Sequence, residues 1–564
     1  MKYSDFNYQR PNIEATSAEF ENLLQQFDKA STANGQNEIM QQINTLRNNF
    51  DTMMNMAYIN YSKDTTNEAN QAEQGFFDEN MPIYENLCAQ FYRQLAASPF
   101  REELSASWGE QLFNLAEMKS RTFNSTVVQE AQEINRLNSE YLRLIASAKI
   151  NFEGEERNLS QLRPYEMSTN RETRKRATEA RWQFIAGIAP RIEEIYDQQV
   201  KLRHKMAQKL GFNNYVEMGY LAMCRSEYNA NMVAQYRQQV LEVVVPIAAK
   251  LRQRQADRLG LDKLAYYDIA CNFNTGNPMP KGNPEWILSH TESMYNQLCE
   301  QTNEFFQFMK KNELMDLVTR KGKAGGGYCT YIANYEAPFI FSNFNGTSDD
   351  INVLTHEAGH AFQVYMSRHF SLPEYHFPTY EACEIHSMSM EFIAWPWMQQ
   401  FFDSDTEKFK FEHLSGALLF LPYGVTVDEF QHYVYENPNA TPAERNKKWR
   451  EIEKKYQPWV NYEGNEFLES GTFWLKQAHI FGSPFYYIDY TLAQICAFQF
   501  WHKSRQNSAQ ALADYVRLCS AGGSKPFLQL VEYANLQSPF DAGCLKNVLT
   551  PVSTYLDTVN DAVL

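Results

Sequence analysis

The chain has 564 residues, 44% hydrophobic and 14% aromatic, which exceeds one ordinary core and supplies ample apolar surface to bury. A formal net charge of −16 and a pI of about 5.3 argue against nucleic acid or anionic membrane as the main partner, since both select basic surfaces. No stretch reaches a membrane span, MKYSDFNYQRPNIEA at the start has no apolar leader, and nine dispersed cysteines without CxxC spacing point to a reducing cytoplasm.

The first 140 residues read as polar helices with apolar stripes, as in FENLLQQFDKA (20–30) and ENLCAQFYRQLAA (85–97). LIASAKINFEGEERNLSQL (144–162) predicts a small hairpin turning near Gly154. Thr169 and Glu172 have capping-box spacing and open a long helix through RKRATEARWQFIAGI. Its basic run, RETRKR (171–176), reads as a solvated helix face. No repeat or low-complexity linker interrupts the chain. The coarse organisation is an N-terminal helical lobe, 1–190, and a larger helical lobe, 191–564, with a small β element.

That β element is KAGGGYCTYIANYEAPFIFSNFNGTSDD (323–350). The glycines at 325–327 mark a bend or a close backbone approach, not a phosphate loop, because no GK[ST] follows. TYIANYEAPFIFSNF is rich in β-branched and aromatic residues and ends at the turn signal Asn345-Gly346. Pro338 removes a ladder donor from it, which predicts an edge strand. Such an edge is either capped by its own loops or open to an extended peptide backbone along Phe339, Ile340 and Phe341.

NVLTHEAGHAF (352–362) follows. Ser348, Asp349 and Asp350 are placed to cap a helix from near Ile351, with Ile351, Leu354, Ala358, Phe362 and Tyr365 as its apolar stripe. His356 and His360, four apart, share another face. Both can reach one zinc ion at roughly 2.0–2.1 Å, with Glu357 beside the open coordination position. A catalytic zinc needs a third protein ligand. YEACEIHSMSMEFIAW (380–395) offers Glu381, Glu384 and Glu391 along one side of a half-buried helix, where carboxylates are costly unless paired or metal-bound. His386 lies off that side and reads as a packed or surface histidine. In QAHIFGSPFYYIDYTLAQ (477–494), Ser483 and Pro484 read as a helix start, with His479 before it and Tyr486, Tyr487 and Tyr490 within a turn. A tyrosine hydroxyl stays protonated at neutral pH and can donate to a developing oxyanion.

HEAGH followed by EIHSMSME resembles the M3 family of zinc metallopeptidases, the thimet oligopeptidase and oligoendopeptidase F group, and the bacterial oligoendopeptidase branch above all. The likeness extends over roughly 190–560, including DEFQHYVYENPNATPAERNKKW (428–449) and PFYYIDYTLAQ (484–494). It implies a mainly α, two-lobed, zincin-type metallopeptidase with a small β element beside the active-site helix and an internal substrate channel. It implies one zinc ion per chain on His356, His360 and Glu384, with Glu357 as general base and Glu391 orienting a ligating histidine. Oxyanion donors are implied at His479, Tyr487 and Tyr490, with Tyr486 competing with Tyr487 for that place and otherwise meeting substrate.

The activity so implied is zinc-dependent cleavage of internal bonds in short unstructured peptides. The enzyme would be cytoplasmic, monomeric or weakly self-associating, with neither nucleic acid nor membrane as partner. Two alternatives stay open. A dipeptidyl-carboxypeptidase-type zinc exopeptidase would trim from one end only. A zinc-containing peptide-binding protein would have no need of the intact Glu357.

Overall fold

Short polar side chains start two of the longest helices. Thr32 accepts the Gly35 N–H at the head of α1 (Ala33–Lys63), and Asn170 accepts the Thr173 N–H at the head of α2 (Arg171–Lys209). The cap of α2 is therefore Asn170, one residue beyond the expected Thr169. The computed structural model describes residues 1–564, and helices dominate it.

Two main apolar cores result. One is built by residues between Phe20 and Ala116, joined by Leu372 and Tyr375. The larger unites Met56, Ile59, Leu137 and Trp182 with the helices that follow. The lobe boundary expected at residue 190 falls inside α2, which runs on through Pro190 and packs Ile185, Ile192 and Tyr196 into the larger core. No helix is long and apolar enough to cross a membrane.

β1 (Ile150–Phe152) and β2 (Glu155–Arg157) form the expected hairpin, with Gly154 in the turn at φ +81°. β3 (Met315–Val318), β4 (Tyr328–Ile332) and β5 (Ala337–Phe344) form a second sheet in the order β3-β5-β4. β3 runs parallel and β4 antiparallel to β5. This corrects the reading of 330–344 as one edge strand, since its first residues end β4 and 337–344 is β5. β5 is central, and Phe339, Ile340 and Phe341 are at most 1% exposed, so they cannot pair with a substrate. Pro338 is tolerated because β3 pairs with β5 only from Ile340 onward, leaving Pro338 flanked by β4 alone. The open edge beside the site belongs to β4.

After β5 the chain turns at Asn345-Gly346 into α3 (Asp349–Ser367). Asp350 holds that turn by accepting the Asn345 and Gly346 N–H groups at 2.8 and 2.9 Å, rather than capping α3. α3 crosses α4 (Tyr380–Ile393) at Gly359. A Cβ on Gly359 would stand 2.7 Å from both the His386 carbonyl oxygen and Ser387 Cα, so only glycine permits this approach. α5 (Thr406–Glu436) and α6 (Tyr487–Gln506) complete the frame, α6 packing against both α4 and α5.

Candidate active site

The crossing at Gly359 brings ligand-forming atoms together. His356 and His360 project from α3 and meet Glu384 of α4, and their donor atoms lie within 4.8 Å of one another. His356 Nε2 is 3.2 Å and His360 Nε2 3.4 Å from Glu384 Oε2. Glu384 is 1% exposed and firmly held. Ser387 Oγ donates to its Oε2 at 2.8 Å, and the Tyr486 hydroxyl donates to its Oε1. Two imidazole nitrogens and one carboxylate are the donor set of a hydrolytic zinc site, so these residues fit that metal. Glu381 is buried toward Arg225 and stands outside the cluster. His386 is fully buried, with neither ring nitrogen hydrogen-bonded.

A chain of hydrogen bonds fixes the tautomer of His356. Trp395 Nε1–H donates to His413 Nδ1 at 2.9 Å, which leaves the proton of His413 on Nε2. That proton goes to Glu391 Oε2 at 2.7 Å, and His356 Nδ1–H donates to Glu391 Oε1 at 2.7 Å. The Nε2 lone pair of His356 is thereby turned toward His360 and Glu384. His413 escaped sequence reasoning. It lies 22 residues from Glu391 on α5, just ahead of an apolar run, and no local spacing links the two.

Glu357 is 6% exposed, and its Oε2 is buried without a partner. Burial pushes its pKa above the ordinary glutamate value. The glycine run of 325–327 explains how the backbone passes so near. A Cβ at Gly327 would stand 3.1 Å from Glu357 Oε1 and 2.8 Å from Val353 Cγ1.

The tyrosines differ from expectation by one register. Phe485 adopts φ +67°, so the chain is not helical at Ser483-Pro484 and α6 begins at Tyr487. Arg225 donates to the Phe485 carbonyl at 2.5 Å and holds this left-handed residue in place. Tyr486 and Tyr490 consequently line the ligand cluster's cavity, their rings 4.8 Å apart. Tyr487 turns away and packs near Phe420 and Tyr423. Gln477 Nε2 donates to His479 Nδ1 at 2.8 Å, so the remaining His479 proton is on Nε2, 3.1 Å from the Tyr490 oxygen. The Tyr490 hydroxyl proton is then free to point into the cavity. Burial lowers the His479 pKa to about 4, which keeps this ring neutral near pH 7.

The cavity has a volume of about 690 Å³. Tyr328, Cys329 and Thr330 of β4 line it together with His356, Glu357 and Glu384. A second cavity, of about 670 Å³, shares His479 and Tyr490 with the first and includes Tyr487 in its wall.

The sequence model of peptidase family M3 matches residues 165–549, and that of the peptidase M3 N-terminal domain matches 3–123. The chain is 58% identical to PZ peptidase A, solved with an inhibitor, across 100% of both chains at a TM-score of 0.99. It is 55% identical to a candidate oligoendopeptidase F from Bacillus anthracis str. Ames, over 100% of this chain and 99% of that one, at a TM-score of 0.95. An oligoendopeptidase F homolog of Borreliella burgdorferi is 25% identical over 237 residues. That match spans 40% of this chain and 39% of the relative's length.

Proposed function

This chain belongs to peptidase family M3, and from that premise we propose that it is a zinc-dependent endopeptidase of short, unstructured peptides. The observation that carries the reading is the convergence of His356, His360 and Glu384 beside a buried, unpartnered Glu357 oxygen. His356, His360 and Glu384 would hold one zinc ion. When bound, zinc makes water a nucleophile near neutral pH and polarises the scissile carbonyl. Glu357 Oε2 takes the proton of the attacking water and delivers it to the leaving amine nitrogen. The free Tyr490 O–H donates to the oxyanion that develops on the carbonyl oxygen, and the neutral His479 ring fixes that hydroxyl from behind. Tyr486 steadies Glu384, and Glu391 with His413 holds His356 in its ligating tautomer.

The substrate strand lies along β4, whose outer side at Tyr328–Thr330 lines the cavity. A cavity of this size accepts an extended chain and excludes a folded domain, which would first have to unfold at about 5–15 kcal/mol. Nine unpaired cysteines and the absence of any membrane-length apolar helix support a cytoplasmic setting.

Digestion of a mixed peptide library, with a stably folded protein carrying the same segments in parallel, tests the substrate class. The expected products are internal fragments of the short peptides, with the folded protein intact. Comparable cleavage of the folded protein, or trimming from one end only, would contradict the reading.

A further inference from the structure

Tyr486 and Tyr490 each follow directly after a residue that Arg225 holds. Arg225 Nη2 donates to the Phe485 carbonyl at 2.5 Å and to Asp489 Oδ1 at 2.7 Å. One nitrogen therefore bridges the left-handed residue before Tyr486 and the first-turn carboxylate before Tyr490. Both charged side chains are 0% exposed, and neither lines the cavity of Glu357.

Phe485 is held from every side. Gln431 Oε1 accepts the Phe485 N–H at 3.2 Å. The Ser483 carbonyl accepts the Tyr486 N–H at 3.1 Å, so the peptide group between Phe485 and Tyr486 is fixed at both ends. The Phe485 ring is fully buried against Tyr220, His432 and Tyr435. It lies so close to Gly219 that a Cβ there would stand 2.7 Å from its Cδ2. The guanidinium is itself clasped, its Cζ 4.6 Å from the Tyr220 ring centroid and 5.4 Å from that of Tyr228. It also draws Glu381 of α4, the helix that carries Glu384.

As a stabilising device this arrangement is poor. Arg225 Nε and Nη1 and Asp489 Oδ2 are buried without hydrogen-bond partners, and a fully buried ion pair seldom outperforms well-packed apolar side chains of the same volume. A left-handed phenylalanine adds strain that persists only where the surroundings dictate it. What the arrangement does fix is the start of α6, and with it where the hydroxyls of Tyr486 and Tyr490 stand. We propose that Arg225 is a positioning residue for hydrolysis: by gripping Phe485 and Asp489 it aims the Tyr490 hydroxyl at the scissile carbonyl and keeps Tyr486 on Glu384. This rests on the peptidase reading above. Arg225 lies outside the cavity wall, so its effect passes through the tyrosines.

The test is a double-mutant cycle read as kcat per bound zinc on one short peptide. It uses the zinc-loaded enzyme as wild type, Arg225→Met, Tyr490→Phe and the double variant, with zinc content measured on each. Arg225→Met should lower kcat by about 10–100-fold, the cost of misplacing a reacting group by about 1 Å, while KM stays within about threefold. In the Tyr490→Phe background the same change should cost at most about threefold, because the hydroxyl it places is already gone. Gly219→Ala pushes on the Phe485 ring without altering any charge and should reproduce both results; it decides the matter if Arg225→Met does not fold. A loss equally large with and without the Tyr490 hydroxyl, or one carried by KM, would overturn the positioning role while the peptidase reading stands. So would wild-type kcat in a folded Arg225→Met or Gly219→Ala enzyme. No cleavage by the wild type would overturn the peptidase reading and this role with it.

Discussion

One hydroxyl proton separates two accounts of the oxyanion donors. Tyr490 has its oxygen occupied by His479 and its proton free, whereas Tyr487 packs near Phe420 and Tyr423. Tyr490→Phe should therefore cut kcat by about 10²–10³, with KM little changed, because the hydroxyl acts mainly in the transition state. Tyr487→Phe should stay near wild type; steady-state kinetics of the pair decide, and the reverse pattern would return the role to Tyr487. Spacing put His356 and His360 on one face of α3 and Glu381, Glu384 and Glu391 along one side of α4, because neighbours at those steps share a helix face, while the choice of Glu384 and Glu391 came from the family resemblance. It missed the tyrosine register because Ser483-Pro484 imitates a helix start, while the left-handed Phe485 delays α6 to Tyr487. It missed His413 because a contact between helices leaves no local pattern.

Between elements, the decisive contact is the crossing of α3 and α4. Gly359→Ala would drive a methyl group into backbone atoms of His386 and Ser387, which cannot yield as a side-chain end can. The helices must part, at a cost of about 1–3 kcal/mol typical of overpacking. Because Glu384 rides on α4 and the histidines on α3, zinc occupancy should fall together with Tm. Metal analysis and thermal melting of the same sample check this, and a lower Tm with full zinc would dissociate the crossing from the ligand set. The sheet was less legible than the helices. β3 is four residues, too short for its alternation to stand out, so nothing in the sequence placed a neighbour beside β5. Pro338 then pointed to an edge that exists only locally, before β3 begins to pair.

At the scale of the molecule, the smaller core is tied to the site by a buried charge pair. Arg47 of α1 lies 2.7 Å from Glu374, in the turn between α3 and α4, and the Tyr92 hydroxyl donates to the same carboxylate at 2.6 Å. Burial alone would raise the Glu374 pKa, but Arg47 and Lys119 outweigh it and hold it at about 2. The folded value lies below the ordinary ~4.3, so the carboxylate stabilises the fold above that pH and loses its contribution as pH falls toward 2. The linked stability is about 3 kcal/mol. Glu374→Gln should lower stability at neutral pH and flatten its dependence between about pH 4.5 and 2, read by denaturant titration across that range. Helical texture was legible along the chain, and α2 carries an unbroken helix across residue 190, where the lobe boundary was expected. Hydrolysis turns on Glu357, and parallel measurement of zinc content and kcat on a short peptide for wild type and Glu357→Gln tests that role most directly. Full zinc retention with kcat lower by at least ~10²–10⁴ is the predicted result, the loss expected for an acid–base group. Wild-type turnover in that variant would contradict it.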